Sequence, residues 1–405
     1  MNLVYAYPWD IVGDPSAPER LAGLGVDTVA LAASYHSTRA ATPYHPAHRV
    51  LDVPYSAFYL PVRPEAWGRL MPAAPTWTAP DAYLQARDTL RAAGLRVHAW
   101  IVLTHNAHLG SAHPDLVARN AFGDRYPYAL CPAFDDVVEY CDRLVREVLI
   151  QGEPDGLILE GCGPMGFGHQ SVHEKTAGAD YDADLLSLCF CPACESRYPS
   201  GTKGRVRAAV DAPSTPTTAP ATTGPIPAPS FPSSSSDTMA IPRPAVETAL
   251  GDLADDVRAV RVDLSASLRR HLIATTKAIA PDVPITLHAN PDPWATGPFA
   301  ALPDGEPAAD VLVGNCWGNP STDAARLSQL AELRTPGQRV GAYVLALPPR
   351  PADATALADQ ITTYVKAGAS EIHLYHGGLA GPPRLAIMPE ALRLASSSTR
   401  ALPQA

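Results

Sequence analysis

The stretch Asp155-Gly156-Leu157-Ile158-Leu159-Glu160-Gly161 carries an uncharged run that ends in a carboxylate and is followed directly by glycine. A short, continuous apolar run bounded by turn residues is typical of a strand buried on both faces, as in a parallel sheet. The glutamate at its end would lie at the carboxyl edge of that sheet, where α/β barrels place their reactive groups. This stretch therefore predicts a fold class and supplies the first candidate for an acid, base or nucleophile.

Seven further apolar runs of the same kind occur along the chain, and amphipathic segments separate them. With the first run they predict eight strands, at residues 3–7, 28–33, 97–103, 156–160, 285–289, 311–316, 340–345 and 371–375. Before the fifth strand, one apolar stripe at helical spacing would pack on the sheet, and it consists of Leu253, Val257, Val260, Leu264, Leu268 and Leu272. The alternation predicts an α/β fold, a (β/α)8 TIM barrel.

The length of 405 residues exceeds what such a barrel needs, and one stretch differs in composition. Residues 200–245 are dominated by Pro, Ser, Thr and Ala, with a serine run at 233–236. A segment with so little to bury cannot offset its ordering entropy, so we expect a disordered, linker-like insertion. The predicted domains are the first half of the barrel at 1–199, with strands one to four and a cysteine-rich segment, the second half at 246–395, and a flexible tail at 396–405.

The composition limits the kinds of partner. Apolar residues make up 46% and charged residues 18%, with a net charge of -10, which argues against nucleic acid and anionic membranes as partners. We therefore expect a small-molecule or oligosaccharide substrate. No window is long enough to cross a bilayer and no leader is recognisable, so the expected location is cytoplasmic. Phosphate-binding glycine motifs are missing from the sequence, so no cofactor is expected to be required.

The segment after Glu160 is rich in ionisable side chains. It contains His169, His173, Glu174 and Lys175 within seven residues. Partial desolvation at the strand end is expected to raise the pKa of Glu160 into the range useful for proton transfer. The spacing of the two histidines also suits two metal ligands on one helical face, although no glutamate follows the first histidine as it does in metalloproteases.

Planar and amide side chains recur at nearly every predicted strand end. Rings suit sugar faces, and amides or imidazoles suit hydroxyl groups. Together with His169, His173 and Lys175, the predicted substrate-binding residues are Tyr7, Trp9, Tyr35, His36, Trp100, His105, Asn106, His288, Asn290, Asn315, Trp317, Tyr343, Tyr375 and His376. A structural role in sealing the top of the barrel is the alternative for each of them.

Three of the seven cysteines form the pattern Cys189-x-Cys191-x-x-Cys194. With Cys162 they would supply four thiolates, enough for a closed structural zinc site. The alternative is a set of reduced thiols without metal. An odd number of cysteines argues against a disulfide framework.

Three motifs carry a resemblance to a known group of proteins. They are Val97-His98-Ala99-Trp100, the pair formed by Leu130-Cys131-Pro132 and the run ending at Glu160, and Cys189-Phe190-Cys191-Pro192-Ala193-Cys194. Over residues 90–200 the chain resembles glycoside-hydrolase-like (β/α)8 barrels of bacterial genomes, mostly hypothetical proteins. The resemblance implies a catalytic role for Glu160.

The sequence departs from this pattern at the seventh strand. Retaining glycosidases related to the family 42 β-galactosidases place an acid/base glutamate after strand four and a nucleophilic glutamate after strand seven, whereas Val344-Leu345-Ala346-Leu347 contains no carboxylate. The second carboxyl group would then be Glu174, which its position in the His/Glu/Lys cluster favours, or Asp292. Three hypotheses follow: a glycoside hydrolase, a carbohydrate-binding barrel without catalysis, and a metal hydrolase that uses His169 and His173.

Overall fold

Eight parallel strands form the centre of the molecule in a computed structural model, which describes residues 1–168, 183–212 and 244–400. The strands are β1 (Asn2–Ala6), β2 (Thr28–Tyr35), β3 (Arg96–Val102), β4 (Gly156–Glu160), β5 (Ile285–Asn290), β6 (Val311–Cys316), β7 (Arg339–Leu345) and β8 (Glu371–Tyr375). Each lies within two residues of its predicted position. They read as nearly continuous apolar runs because both faces are covered, and all eight residues of β2 are buried.

The sheet closes on itself. Each strand pairs in parallel with the next, and β1 pairs with both β2 and β8. In the register, Leu3 lies opposite Thr28 on one side and His373 on the other. The predicted (β/α)8 barrel is therefore confirmed.

Twelve α-helices flank or cap this barrel in the part of the chain that the structure describes. They are α1 (Ala17–Ala22), α2 (Ala82–Ala92), α3 (Ala107–Ala112), α4 (Asp135–Gly152), α5 (Ala183–Leu186), α6 (Pro192–Glu195), α7 (Thr202–Asp211), α8 (Pro244–Leu250), α9 (Ala254–Ile279), α10 (Pro320–Leu333), α11 (Ala354–Lys366) and α12 (Pro382–Arg400). Four members of the stripe predicted for α9, Val257, Leu264, Leu268 and Leu272, are buried. Val260 is half-buried, and Leu253 is half-buried and precedes the helix.

Several connections depart from a regular barrel. Residues 291–310, between β5 and β6, contain no helix, and only the short strand Ala300–Ala301 pairs with β5. A hairpin of Thr38–Ala41 and Val50–Val53 follows β2, and a second hairpin of Val117–Arg119 and Arg125–Leu130 follows α3. These segments stand at the carboxyl ends of the strands and build the surroundings of the site.

Two predicted boundaries were wrong. Residues 202–211, assigned to the disordered insertion, form helix α7, because Thr202 and Val206 are buried against neighbouring segments. Helix α12 continues to Arg400, into the residues assigned to a flexible tail. Residues 213–243 lie outside the described residues, so the rest of the predicted insertion stays a prediction.

The apolar interior consists of two clusters. The larger one fills the barrel and the layer between strands and helices. The smaller one lies under the loops that follow β3 and β4, and it contains Tyr128, Phe190, Val206 and Val257 together with four cysteines. No helix among the described residues combines the length and the apolar composition that a membrane span requires.

Candidate active site

A cavity of about 520 Å³ opens at the carboxyl ends of the barrel strands. Seven of the eight strands or the residues at their ends contribute to its wall. The contributing side chains are Tyr35 from β2, Trp100 from β3, Glu160 from β4, Asn290 from β5, Asn315 from β6, Tyr343 from β7 and Tyr375 from β8. The barrel thus brings together residues that are up to 340 positions apart.

Glu160 lies at the floor of this cavity and is only 6% exposed. The indole Nε1 of Trp100 donates a hydrogen bond of 2.7 Å to its Oε2 atom. The Nδ1 atom of His288 lies 3.2 Å from the same oxygen, although the two groups are poorly aligned for a hydrogen bond. Gly161 follows with φ of +66°, a left-handed conformation that favours glycine and lets the chain leave the strand directly after the carboxylate.

The pKa of Glu160 differs in direction from the sequence-based expectation. Burial acts to raise this pKa. His288 lowers it through a polar contact and through charge, and His36 and Trp100 lower it further, so that the three side chains together outweigh burial. The net result is a pKa below the usual value for glutamate. The predicted elevation was therefore wrong, because the compensating groups come from β3 and β5 and are invisible in the sequence around β4. Glu160 is a carboxylate at neutral pH.

Two further carboxylates line the cavity. Asp292 follows β5, and its Oδ1 atom accepts a hydrogen bond of 3.0 Å from the backbone N–H of Trp294. Asp184 lies in the short helix α5 and was missed by sequence reasoning, since an aspartate in a polar segment gives no signal of its own. Glu174, predicted as the other catalytic candidate, lies outside the described residues, as do His169, His173 and Lys175.

Aromatic rings form one wall of the cavity. Trp317 stacks on Tyr343, with ring centroids 5.4 Å apart and an angle of 12° between the planes. Tyr375 packs against Trp317 at 4.6 Å. Burial raises the pKa of both tyrosines, so their hydroxyls stay protonated and can donate hydrogen bonds. A flat ring beside phenol donors is the arrangement that suits a sugar ring with its hydroxyls.

The structure separates the predicted binding residues into two groups. Eight line the cavity: Tyr35, His36, Trp100, Asn290, Asn315, Trp317, Tyr343 and Tyr375. The others that are described, Tyr7, Trp9, His105, Asn106, His288 and His376, are buried outside that lining. For Asn106 the reason is local, because its side chain caps helix α3 by accepting a hydrogen bond from the backbone N–H of Leu109.

Asp10 and His376 form a buried pair behind Tyr7, and of the two only His376 was singled out by sequence reasoning. The backbone N–H of Tyr7 donates to Asp10 Oδ2 at 2.8 Å, and His376 Nδ1 lies 3.8 Å from that oxygen. Burial raises the pKa of Asp10 to about 7, although the Tyr7 hydrogen bond and Arg20 act against it. Burial also lowers the pKa of His376 to about 3, so the imidazole is neutral beside an aspartate that titrates near neutrality.

Four cysteines meet beside the second hairpin, but they are not the predicted four. Their members are Cys131, Cys189, Cys191 and Cys194, whose sulfurs lie within 4.8 Å of one another. Cys162 is buried elsewhere, so its assignment as the fourth ligand was wrong. The correct partner is separated from the triplet by 58 residues, and only the folded hairpin brings it there.

The sulfur geometry fits a tetrahedral metal. Cys131 Sγ lies 3.4, 3.6 and 3.9 Å from the sulfurs of Cys194, Cys191 and Cys189. A tetrahedral site with Zn–S bonds of about 2.3 Å has sulfurs about 3.8 Å apart, which these distances bracket. Hydrogen bonds from the other three thiols also hold the pKa of Cys191 well below its usual range, which favours the thiolate form that binds metal.

Comparisons with known proteins identify the fold. No family model matches the chain, and no curated protein matches it significantly. Among solved structures, it is similar to the catalytic domain of β-amylase from Paenibacillus polymyxa, with 15% identity, a TM-score of 0.54 and coverage of 100% of this chain and 99% of that one. The chain therefore has the (β/α)8 barrel fold seen in a glycoside hydrolase.

Two further solved structures agree on the fold. One is α-L-fucosidase isoenzyme 2 from Paenibacillus thiaminolyticus, with 12% identity, a TM-score of 0.52 and coverage of 98% of this chain and 50% of that one. The other is β-galactosidase from the psychrophilic Marinomonas ef1, with 11% identity, a TM-score of 0.54 and coverage of 99% and 60%. The chain thus spans half of the fucosidase and three-fifths of the galactosidase. It is a glycosidase-like barrel in its architecture.

Proposed function

We propose that this protein is a glycoside hydrolase in which Glu160 supplies one of the two carboxyl groups that cleave a glycosidic bond. One observation carries the proposal: a buried glutamate forms the floor of a strand-end cavity whose wall is built from tryptophan and tyrosine rings. Barrel enzymes place their reacting groups at this face. The fucosidase, β-amylase and β-galactosidase folds support the same class of chemistry.

The lowered pKa of Glu160 assigns its part in the reaction. Glycosidases need one carboxylate and one carboxylic acid, the first as base or nucleophile and the second as proton donor. Glu160 is ionised at neutral pH, so it acts as the base or nucleophile and another group donates the proton. Asp292 and Asp184 are the described candidates for that donor because both line the same cavity, and Glu174 is a further candidate.

We also propose that Cys131, Cys189, Cys191 and Cys194 hold a structural zinc ion. All four are buried and lie outside the lining of the cavity, so the metal has no part in the reaction. It would join the hairpin after α3 to the segment after β4. The backbone N–H of Phe190, which donates 2.6 Å to the carbonyl of Arg119, already connects these two segments.

A second candidate function is carbohydrate binding without catalysis. The observation that favours it is the end of β7, where Leu345 and Leu347 line the cavity and no carboxylate stands between them. The third hypothesis, a metal hydrolase, depends on His169 and His173, which lie outside the described residues. Among the described residues the cysteines form the one group with metal-binding geometry.

The test is turnover of aryl glycosides and oligosaccharides by the protein and its Glu160→Gln variant. We expect hydrolysis to fall by at least about a thousandfold in the variant, since loss of a catalytic carboxylate removes several kcal/mol of transition-state stabilisation. The matched control is Glu147→Gln. Glu147 is a buried glutamate on α4, away from the cavity, and it pairs with Arg63.

The outcomes separate the candidate functions. Full turnover by Glu160→Gln would refute the hydrolase, and saturable sugar binding without released product would favour the binding barrel. A stoichiometric metal that is lost on replacing His169 and His173, but retained on replacing the cysteines, would favour the metal hydrolase. Asp292→Asn and Asp184→Asn, measured beside Glu160→Gln, identify which cavity aspartate donates the proton.

A further inference from the structure

A column of polar side chains runs inside the barrel from Glu160 toward the opposite end. His288 Nδ1 lies 3.2 Å from Glu160 Oε2, and its other nitrogen, Nε2, lies 2.8 Å from the hydroxyl of Tyr5. The same hydroxyl lies 3.3 Å from His373 Nδ1, and His373 Nε2 lies 3.3 Å from Glu371 Oε2. The column therefore joins the last residue of β4 to the first residue of β8.

The column is shielded from water between its two ends. Tyr5 and His373 are fully buried, His288 is 2% exposed and Glu371 is 1% exposed. The upper end, Glu160, faces the cavity, and the lower end approaches solvent through the guanidinium of Arg339, which pairs with Glu371 and is 39% exposed. A buried chain of polar groups is costly unless its contacts are filled by hydrogen bonds, so the positions of its protons are constrained.

Counting protons shows that the column is incomplete. It has four contacts, with a carboxylate that can only accept at each end. If both rings are neutral, each histidine carries one ring proton and Tyr5 carries one hydroxyl proton, which gives three protons for the four contacts. One contact therefore lacks a proton unless the column takes up a fourth.

The geometry indicates where the gap lies. Glu371 accepts from His373 Nε2–H, which leaves Nδ1 to accept from Tyr5, and Tyr5 in turn accepts from His288 Nε2–H. With both rings neutral, His288 then turns an unprotonated Nδ1 toward Glu160, and this contact is poorly aligned for a hydrogen bond. His288 lowers the pKa of Glu160 only once Nδ1 has taken up a fourth proton and donates to the carboxylate. Burial also lowers the pKa of His373, despite the opposing effect of Glu371, which agrees with a neutral ring in this state.

We propose that His288, Tyr5 and His373 form a proton relay that connects Glu160 with Glu371 through the interior of the barrel. A proton on Glu160 Oε2 moves to His288 Nδ1, the proton of His288 Nε2 moves to the Tyr5 oxygen, and the Tyr5 proton moves to His373 Nδ1. Glu160 becomes a carboxylate that accepts from His288, and the positive charge arrives on His373 beside Glu371. The inference rests on the proposed function for its catalytic meaning: the three residues are positioning residues that regulate the ionisation of Glu160.

Other titratable groups face the two ends of the relay, and the variants used in its test leave these groups unsubstituted. Around Glu160 they are His36 and Tyr35 from the β2 end, Tyr343 from β7 and Tyr375 from β8. Around His373 and Glu371 they are His98 from β3, Arg339 from β7 and the amino terminus at Met1. Between His288 and His373, the Tyr5 hydroxyl lies within hydrogen-bond distance of a nitrogen of each ring.

The experiment is a double-mutant cycle on Tyr5 and Glu371. The pKa of the Glu160 side chain is followed by carbon NMR of the labelled carboxyl, with Glu160→Gln used for assignment. Glu371→Gln should lower this pKa by about one unit, the scale at which coupled sites titrate together. The reason is that the new amide can donate to His373 Nε2, so all four contacts are filled while Glu160 is ionised.

In the Tyr5→Phe background the relay is cut while the ring still packs against Trp100 and Tyr343. Glu371→Gln should then leave the Glu160 pKa unchanged. The same change in both backgrounds would show direct electrostatic action and overturn the relay. Glu147→Gln removes a carboxylate outside the column as a control, and it should leave the Glu160 pKa unchanged in either background.

A second measurement tests the relay in the parent protein, so it remains informative if a variant fails to fold or if the protein is not a glycosidase. In the protein with labelled histidine, the His373 ring nitrogens should respond at the pH where Glu160 titrates, and this response should vanish in Tyr5→Phe. A His373 signal that is constant through the Glu160 titration would refute the relay. Neither NMR readout needs turnover, so an inactive protein would remove the glycosidase proposal and leave the relay to be judged by itself.

Discussion

The hydrogen bond from Trp100 to Glu160 makes a specific prediction for the variant Trp100→Phe. The variant keeps an aromatic ring in β3 but removes the Nε1–H that donates 2.7 Å to Oε2. A hydrogen bond to a charged group contributes about 1.5–3 kcal/mol. Since one pKa unit corresponds to about 1.4 kcal/mol, the pKa of Glu160 should rise by about 1–2 units.

The pH dependence of stability provides an internal control for this prediction. The pKa of Glu160 is lower in the folded protein than in the unfolded chain, so its stabilising effect is full above the unfolded value. That effect is lost as the pH falls through the folded value. The smaller ring also costs packing energy, but this cost is independent of pH. The stability difference between the protein and Trp100→Phe should therefore narrow as the pH falls through the folded-state pKa values of Glu160 in the two proteins.

Two assays check the prediction. The first is the carboxyl NMR titration of Glu160, and the second is the melting temperature of both proteins from pH 7 downward. If hydrolysis is found, its acidic limb should move upward with the Glu160 pKa. An unchanged or lowered pKa, or a stability difference equal at all pH values, would refute the role given to this hydrogen bond.

Further predictions concern the rest of the molecule. Cys131→Ser should abolish the binding of one zinc ion per chain and lower the melting temperature, while Cys162→Ser should retain the full metal content by elemental analysis. Asp10→Asn should be more stable than the parent protein above pH 7, by up to about 4 kcal/mol, because the parent loses stability as the pH rises from the usual aspartate pKa to about 7. The two proteins should converge below about pH 4 in urea unfolding. Trp317→Ala should weaken oligosaccharide binding about tenfold in calorimetry, equal to about 1.4 kcal/mol for one lost ring contact.

The strands were predictable because burial on both faces leaves a strong mark in the sequence. Residues 156–160 and 311–316 coincide with their predicted bounds, as apolar runs between turn residues. The connection 291–310 was less predictable, since the alternation of strand and helix suggests a helix that is not there. Helix α7 was hidden because its surroundings are rich in Pro, Ser and Thr, and its burial depends on contacts with α8.

The site was predictable in position but not in chemistry. A carboxylate at the end of an apolar strand indicates the catalytic face of a barrel, and Glu160 does line the cavity there. Its pKa depends on Trp100 and His288, which belong to β3 and β5 and face it only after the barrel has closed. The same limit explains the error at Cys162. Proximity along the chain favoured Cys162 as the fourth metal ligand, whereas the folded hairpin places Cys131 among the other three thiols.

The missing carboxylate at β7 has a consequence for the stereochemistry of the proposed reaction. If Asp292 is the partner of Glu160, the pair comes from β4 and β5, which are neighbouring strands in the sheet. Leu159 is level with Leu287 in the register, so Glu160 is level with His288 and Asp292 stands four residues further along the chain. Strands rise about 3.3 Å per residue, so the end of β5 at Asn290 stands about 6.6 Å above the level of Glu160, and Asp292 lies two residues beyond that end.

Such a stagger favours the wider separation of about 6.5–9.5 Å, which leaves room for a water molecule, over the 5–5.5 Å of a covalent mechanism. We therefore predict inversion at the anomeric carbon, with Glu160 as the base that activates water. Proton NMR of the first sugar released distinguishes the two outcomes before mutarotation. Retention would contradict the pairing of Glu160 with Asp292 and would direct attention to Glu174 as the second carboxyl group.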